Sequence, residues 1–329
     1  MRRAATCSRR KFARPADDSK SCLFNYRSMC NVGNMGNQKR PERLFRYFPA
    51  KASDFFAAKK LWLSSLKDYN DPFDAFPRFD LLVEGQFNHS MKVEYAFLPP
   101  QVNCTFTDFK KTLESHHEFS AFKAEGIEAT AEKFRDLADN CFRIVCFSER
   151  LDELLMWAHY AFSHKGFVVE FNPKHQIFAT DEFEQVDYPK TEDRPKIKFD
   201  EQSEAELIKM LFVKSSHWNY EREWRLAMSV GNTNLKIGKR RDKKELNYLE
   251  LPTDSILRLY LGWQMPEDNR NELISSLGHD EWKHVEKLVM CPDKTKYAIQ
   301  PIPWEQWQKK PTSYHQELDR VMPITNKDE

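Results

Sequence analysis

The stretch Leu154–Phe171, LLMWAHYAFSHKGFVVEF, decides how the chain is read. Its first half repeats at helical spacing: Leu154, Trp157, Ala158 and Ala161 form one stripe, and Met156, His159, Tyr160 and Ser163 form the stripe beside it. These residues predict a helix over about Asp152 to Phe162, with Trp157 facing the core. His164, Lys165 and Gly166 then predict a turn, and Phe167–Phe171 a strand. A helix feeding directly into a short apolar strand belongs to a sheet with packed helices.

Working outward, Phe142–Ser148 (FRIVCFS) reads as a buried strand because its apolar run is nearly continuous. Arg43–Pro49 (RLFRYFP) reads as a strand ended by proline. Then come a short helix capped by the hydroxyl of Ser53 and a strand at Leu61–Ser64. Asn70, Asp71 and Pro72 mark a turn. Phe106, Phe109, Leu113, Phe119 and Phe122 suggest two helices between Asn103 and Asn140. Further strands are expected at Glu184–Tyr188, Glu223–Met228, Leu246–Leu251, Ile256–Leu261 and Val285–Met290, and helices at Glu201–Val213 and Glu267–Leu277. The irregular mixture gives an α+β class: one domain over 41–302, with a mainly antiparallel mixed sheet and inserted helices, followed by a tail over 303–329.

Composition limits the function classes. A chain of 329 residues that is 40% hydrophobic can bury a sizeable core, and its apolar runs are far shorter than the roughly 20 residues of a membrane helix. The seven cysteines are scattered, with no C-x-x-C pair, so neither a disulfide framework nor a zinc site is expected, and the cytosol is the default compartment. Gly-rich phosphate loops, G-x-S-x-G and H-E-x-x-H are absent. Residues 1–40 carry ten Lys/Arg against Asp17 and Asp18, which leaves a net negative body; this basic leader is expected to be disordered. A nucleic-acid contact is weakly supported, because the basic run Gly238–Glu245 has no interleaved aromatics and reads as a solvated hairpin loop.

Two constellations carry candidate chemistry. His159 and Tyr160 suit acid–base work or stacking on a ligand, set against an ordinary surface role. His159 and His164 point away from each other, so no metal is expected there. In HWNYEREWRL, His217–Leu226, Glu221 and Glu223 point to one side of an extended segment, with Trp224 and Leu226 on the other. They would orient hydroxyls and stabilise positive charge, or else Glu223 simply pairs with Arg225.

The blocks Leu44–Phe76, Cys146–Phe171, Tyr220–Met228 and Ile256–Met265 together resemble the bacterial family known as Domain of Unknown Function 2971, over about Leu44 to Tyr297. The resemblance implies a small cytosolic protein, in some neighbourhoods linked to mobile elements or phage defence. The order of an Arg on the first strand, a strand ending in hydroxyls and a late Glu-x-Glu is also similar to the ADP-ribosyltransferase superfamily. That second resemblance implies NAD as substrate and an unknown macromolecular acceptor. Arg46 would hold the pyrophosphate, Ser64 or Tyr160 the nicotinamide side, Tyr160 or Tyr69 an aromatic wall, and Glu223 or Glu221 the ribose. The alternative is a non-catalytic binding or regulatory module of the same family.

Overall fold

The computed structural model describes residues 40–75, 78–79, 138–190, 194, 196–197 and 209–311. The expectations for the leader before Arg40, for most of Asn103–Asn140, for residues 201–208 and for the tail beyond Pro311 lie outside the described residues.

Thirteen strands are described: β1 (Leu44–Phe48), β2 (Lys60–Trp62), β3 (Arg78–Phe79), β4 (Phe142–Ser148), β5 (Phe167–Phe171), β6 (Phe183–Gln185), β7 (Lys196–Ile197), β8 (Glu223–Ser229), β9 (Lys236–Lys239), β10 (Glu245–Glu250), β11 (Ile256–Gly262), β12 (Glu286–Pro292) and β13 (Ile299–Pro303). Among the described residues the α-helices with both ends placed are α1 (Phe55–Ala58), α2 (Leu154–Tyr160), α3 (Glu267–Ser276) and α4 (Trp304–Gln308), and residues 138–141 are helical as well. Eight strands form the main sheet in the order β13-β12-β11-β5-β1-β4-β8-β6. Among its described strands β11 and β12 pair in parallel and the other neighbours antiparallel. A second sheet, β2-β10-β9, is antiparallel, and β3 pairs with β7 in parallel. This is an α+β fold with a mixed, mainly antiparallel sheet.

β5 lies between β1 and β11 and is buried at every residue, which explains its unbroken apolar run. Its one charge, Glu170, is matched by Arg43 at 2.9 Å, Arg258 at 3.1 Å and the Tyr260 hydroxyl at 2.7 Å. Period-2 alternation then divides the sheet into two faces. Leu44, Phe48, Val145, Phe147, Trp224 and Leu226 share one core, while Ile144 and Ala227 face the other side in a second cluster.

Ser53 does not cap α1: the residue before that helix is Asp54, which makes no side-chain cap. The Ser53 hydroxyl instead donates to Glu272 of α3 and accepts from Asn269 at 3.2 Å, so packing against a distant helix overrides the local motif. β9 and β13 had no sequence expectation. Both are outer strands, exposed or proline-rich, and lack an apolar signal.

α2 stops at Tyr160, and Phe162, Ser163 and His164 follow with φ of 48°, 53° and 64°. Left-handed backbone costs roughly 1–2 kcal/mol per non-glycine residue. The turn offsets part of that by closing the helix end: Ser163 N donates to Ala158 O at 3.0 Å, His164 N to Trp157 O at 3.2 Å and Gly166 N to Ala161 O at 2.8 Å. Two glycines let the neighbouring strands close on this turn. A Cβ at Gly166 would lie 2.0 Å from Phe48 O, and one at Gly262 would lie 2.0 Å from His164 O. Both obstacles are backbone atoms that cannot rotate away. Gly166→Ala and Gly262→Ala are therefore each expected to cost about 1–3 kcal/mol through forced backbone shifts. Thermal denaturation checks this, and wild-type melting of both variants would refute it.

Candidate functional site

Where β8 begins, the chain leaves a 3-10 helix (Ser216–Glu221), passes Arg222 at φ 45° and enters the strand at Glu223. The expected extended Glu-x-Glu is thus replaced by a left-handed corner, because Glu221 is still helical. Ser148 pins this corner by donating to Glu221 O at 2.5 Å, and Tyr188 by accepting from Glu223 N at 3.0 Å. The two carboxylates nevertheless converge, since both reach Lys214 Nζ, Glu221 at 2.6 Å and Glu223 at 3.3 Å.

Arg225, two residues into the strand, is fully buried on the same face as Glu223. Its five N–H donors are all used. Nε and one NH2 proton go to Glu223 at 2.9 and 3.0 Å, NH1 and NH2 go to Asp74 at 2.8 and 2.7 Å, and NH1 also reaches Leu211 O at 2.7 Å. The bland pairing of Glu223 with Arg225 therefore exists, as part of a buried network. Asp74, from the Asn70–Asp74 turn, is drawn into that network, while Asp71 makes the local turn bond to Phe73 N at 2.9 Å.

Three buried carboxylates, Asp74, Glu221 and Glu223, stand against two buried cations, Lys214 and Arg225. Burial would raise the Glu223 pKa, but Arg225 and Lys214 outweigh it and hold the carboxyl at about 2. At Glu221 burial prevails over Lys214, and the charge of Glu223 adds to it, so its pKa is raised. Burial raises the Asp74 pKa as well, against the pull of Arg225, so the excess negative charge is shared by Asp74 and Glu221, and of these two Glu221 is the one in contact with the Tyr160 hydroxyl. Glu221 Oε1 accepts from the Tyr160 hydroxyl at 2.6 Å, and that hydroxyl accepts from Asn70 Nδ2 at 3.4 Å. Tyr160 is only partly buried and gives the network its route to the surface. Burial and the neighbouring Glu221 both raise its phenol pKa.

Of the residues singled out in the sequence, Tyr160, Glu221 and Glu223 share this network. Tyr69 borders it, with its hydroxyl 3.3 Å from Cys146 Sγ and its ring 5.3 Å from the Arg225 guanidinium. His159 is exposed beside Tyr160, its ring 6.4 Å from that of Trp218, which in turn lies 4.8 Å from Lys214 Nζ. Ser64 makes a backbone bridge to Ile144. Arg46 donates to Cys146 O at 3.1 Å and Trp62 O at 3.3 Å, and its guanidinium lies against Phe48 and Phe147 of the opposite core. Lys214 and Asp74 were not expected at the site. They lie 7 and 147 residues before Glu221, and no periodicity marks a long-range charge contact.

The basic loop is met by carboxylates from within and around the hairpin: Lys236 pairs with Glu250, Arg240 with Asp242, Arg241 with Glu272 of α3 and Lys244 with Asp68. It forms the β9–β10 hairpin. Among the described residues no helix is long and apolar enough to cross a membrane, and no group of three potential ligands is placed to hold a metal ion.

No curated protein and no solved structure matches the chain. One family model does, over a narrower span than the resemblance read from the sequence blocks. From Met156 in α2 to Leu226 in β8, the segment that supplies Tyr160, Lys214, Glu221, Glu223 and Arg225, residues 156–226 match the family described as Protein of unknown function (DUF2971).

Proposed function

We propose that the protein is an enzyme of the ADP-ribosyltransferase type that uses NAD as substrate, with Glu221 as its working carboxylate and Tyr160 as the hydroxyl that meets the ligand. The supporting observation is the 2.6 Å contact between a partly exposed phenol and a buried carboxyl in a network that holds more carboxylates than cations. In the reaction the bond between ribose C1′ and the nicotinamide nitrogen breaks, and its electron pair leaves with nicotinamide. The positive charge that develops on the ribose is stabilised by the Glu221 carboxylate. A nucleophile of a macromolecular acceptor then bonds to C1′, and Glu221, with its raised proton affinity, takes the proton the acceptor releases. His159 and Trp218 offer aromatic surface beside the hydroxyl.

Glu223 has a different part in this reading. Bound by Arg225 and Lys214, it holds the cations in place and leaves the chemistry to Glu221. Arg46, whose partners are backbone carbonyls, supports the strands rather than the pyrophosphate.

Glu221→Gln removes the charge but balances the remaining carboxylates against the cations, so the variant should fold. NAD consumption, followed as nicotinamide release in the presence of cell lysate, should fall about 10²–10³-fold. The reading is sunk by wild-type protein that neither binds nor consumes NAD, or by an active enzyme indifferent to the charge at 221.

The second reading, a non-catalytic binding or regulatory module, draws on the saturation of Arg225. A guanidinium with all five donors used braces the Asn70–Asp74 turn against β8 and needs no ligand. On that reading Glu221→Gln leaves binding intact.

A further inference from the structure

We infer that His164 is a positioning residue: its imidazole, wedged between the indoles of Trp157 and Trp263, fixes the last turn of α2 and thereby holds the Tyr160 hydroxyl on Glu221. The inference rests on Tyr160 and Glu221 being the working pair of the site.

α2 has seven residues, too few to hold its own conformation in water, so the placement of Tyr160 at its end depends on tertiary contacts. His164 supplies two. Its backbone N–H closes the helix on Trp157 O at 3.2 Å. Its ring lies parallel to the Trp157 indole, at 1° and 6.0 Å, and 4.4 Å from the ring of Trp263 at the end of β11. β11 also presses on the backbone of this turn, because Gly262 admits His164 O to a distance no side chain would allow, and Gly262 N donates to Gly166 O at 2.8 Å. Nδ1 of His164 has no hydrogen-bond partner among the described residues, so that side of the imidazole is held by ring contacts. The side chains of Phe162 and Ser163, which share the left-handed backbone, are exposed. In this turn the ring at 164 is the one that links helix to sheet.

The test uses the full chain with ring-labelled tyrosine, the Tyr160 signal being assigned by its loss in Tyr160→Phe. Burial and the neighbouring Glu221 raise the Tyr160 pKa, so in wild-type protein its ring signal is expected to titrate above the ordinary tyrosine value. His164→Gly keeps a residue suited to left-handed backbone and removes the side chain with its ring. Its Tyr160 titration should move toward the ordinary value by about one pH unit or more, while His164→Phe, which restores a ring, should titrate close to wild type. If His164→Gly does not fold, Trp263→Leu decides, because it removes the other wall and leaves residue 164 untouched; the same shift is expected. An unmoved Tyr160 in the folded ring-less variant, or a loss in His164→Phe as large as in His164→Gly, overturns the inference. Protein that keeps the wild-type Tyr160 behaviour and its response to His164 yet ignores NAD sinks the enzymatic reading alone.

Discussion

Arg225→Met is expected to destabilise the protein by about 3–5 kcal/mol, the usual cost of removing one partner from a buried ion pair. The guanidinium is fully buried and is the shared partner of Asp74 and Glu223. Without it two carboxylates remain in the interior with only Lys214, already held by Glu221, to answer them. Urea denaturation measures the loss. The triple variant Arg225→Met, Asp74→Asn, Glu223→Gln should recover much of it, since no unpaired charge is then left. The pH dependence gives a second check. In wild-type protein the Glu223 pKa falls from its ordinary value of 4.5 to about 2, so its contribution is present above pH 4.5 and lost as pH falls toward 2. In Arg225→Met the buried carboxylates prefer to be protonated, so the variant gains relative stability over the same range. The two stability curves should therefore converge on acidification. Curves that stay parallel, or a variant that denatures with the wild type, would remove the network from the stabilising core.

Trp157→Ala is expected to cost about 3–5 kcal/mol as well, by a different route. The indole is fully buried, packs edge-on to Tyr47 at 5.6 Å and donates from Nε1 to Leu151 O at 2.7 Å. Truncation leaves a cavity under α2 and an unsatisfied carbonyl. Trp157→Phe should cost less, since it refills most of the space and loses the hydrogen bond. A soluble Trp157→Ala protein of wild-type stability that had lost only activity would assign the indole to a ligand.

The parts of this fold legible from sequence are those where one residue's environment is set by its near neighbours. Phe142–Ser148 and Phe167–Phe171 have the bounds their apolar runs predicted, because strands deep in a sheet need apolar residues without interruption. The stripe through Trp157 points it at the core, and it is buried there. β9 and β13 were invisible because an outer strand can be polar or rich in proline. The site divides in the same way. Tyr160, Glu221 and Glu223 stood out as dense local clusters, whereas Lys214 and Asp74 acquire meaning only through contacts across the fold. The left-handed corner at Arg222 left no trace, since neither glycine nor asparagine occupies it.

The hydrogen bonds between Asp74 and Arg225 join residues 151 positions apart. During synthesis at about 5–20 residues per second, the carboxylate would wait roughly 8–30 s before its guanidinium is made. The Asn70–Asp74 turn thus emerges with its Asp74 carboxylate still hydrated. That carboxylate finds its guanidinium only when β8 arrives. The network can close only late in synthesis, and a chain halted before residue 225 would hold the Asp74 carboxylate without the guanidinium that buries it in the finished molecule.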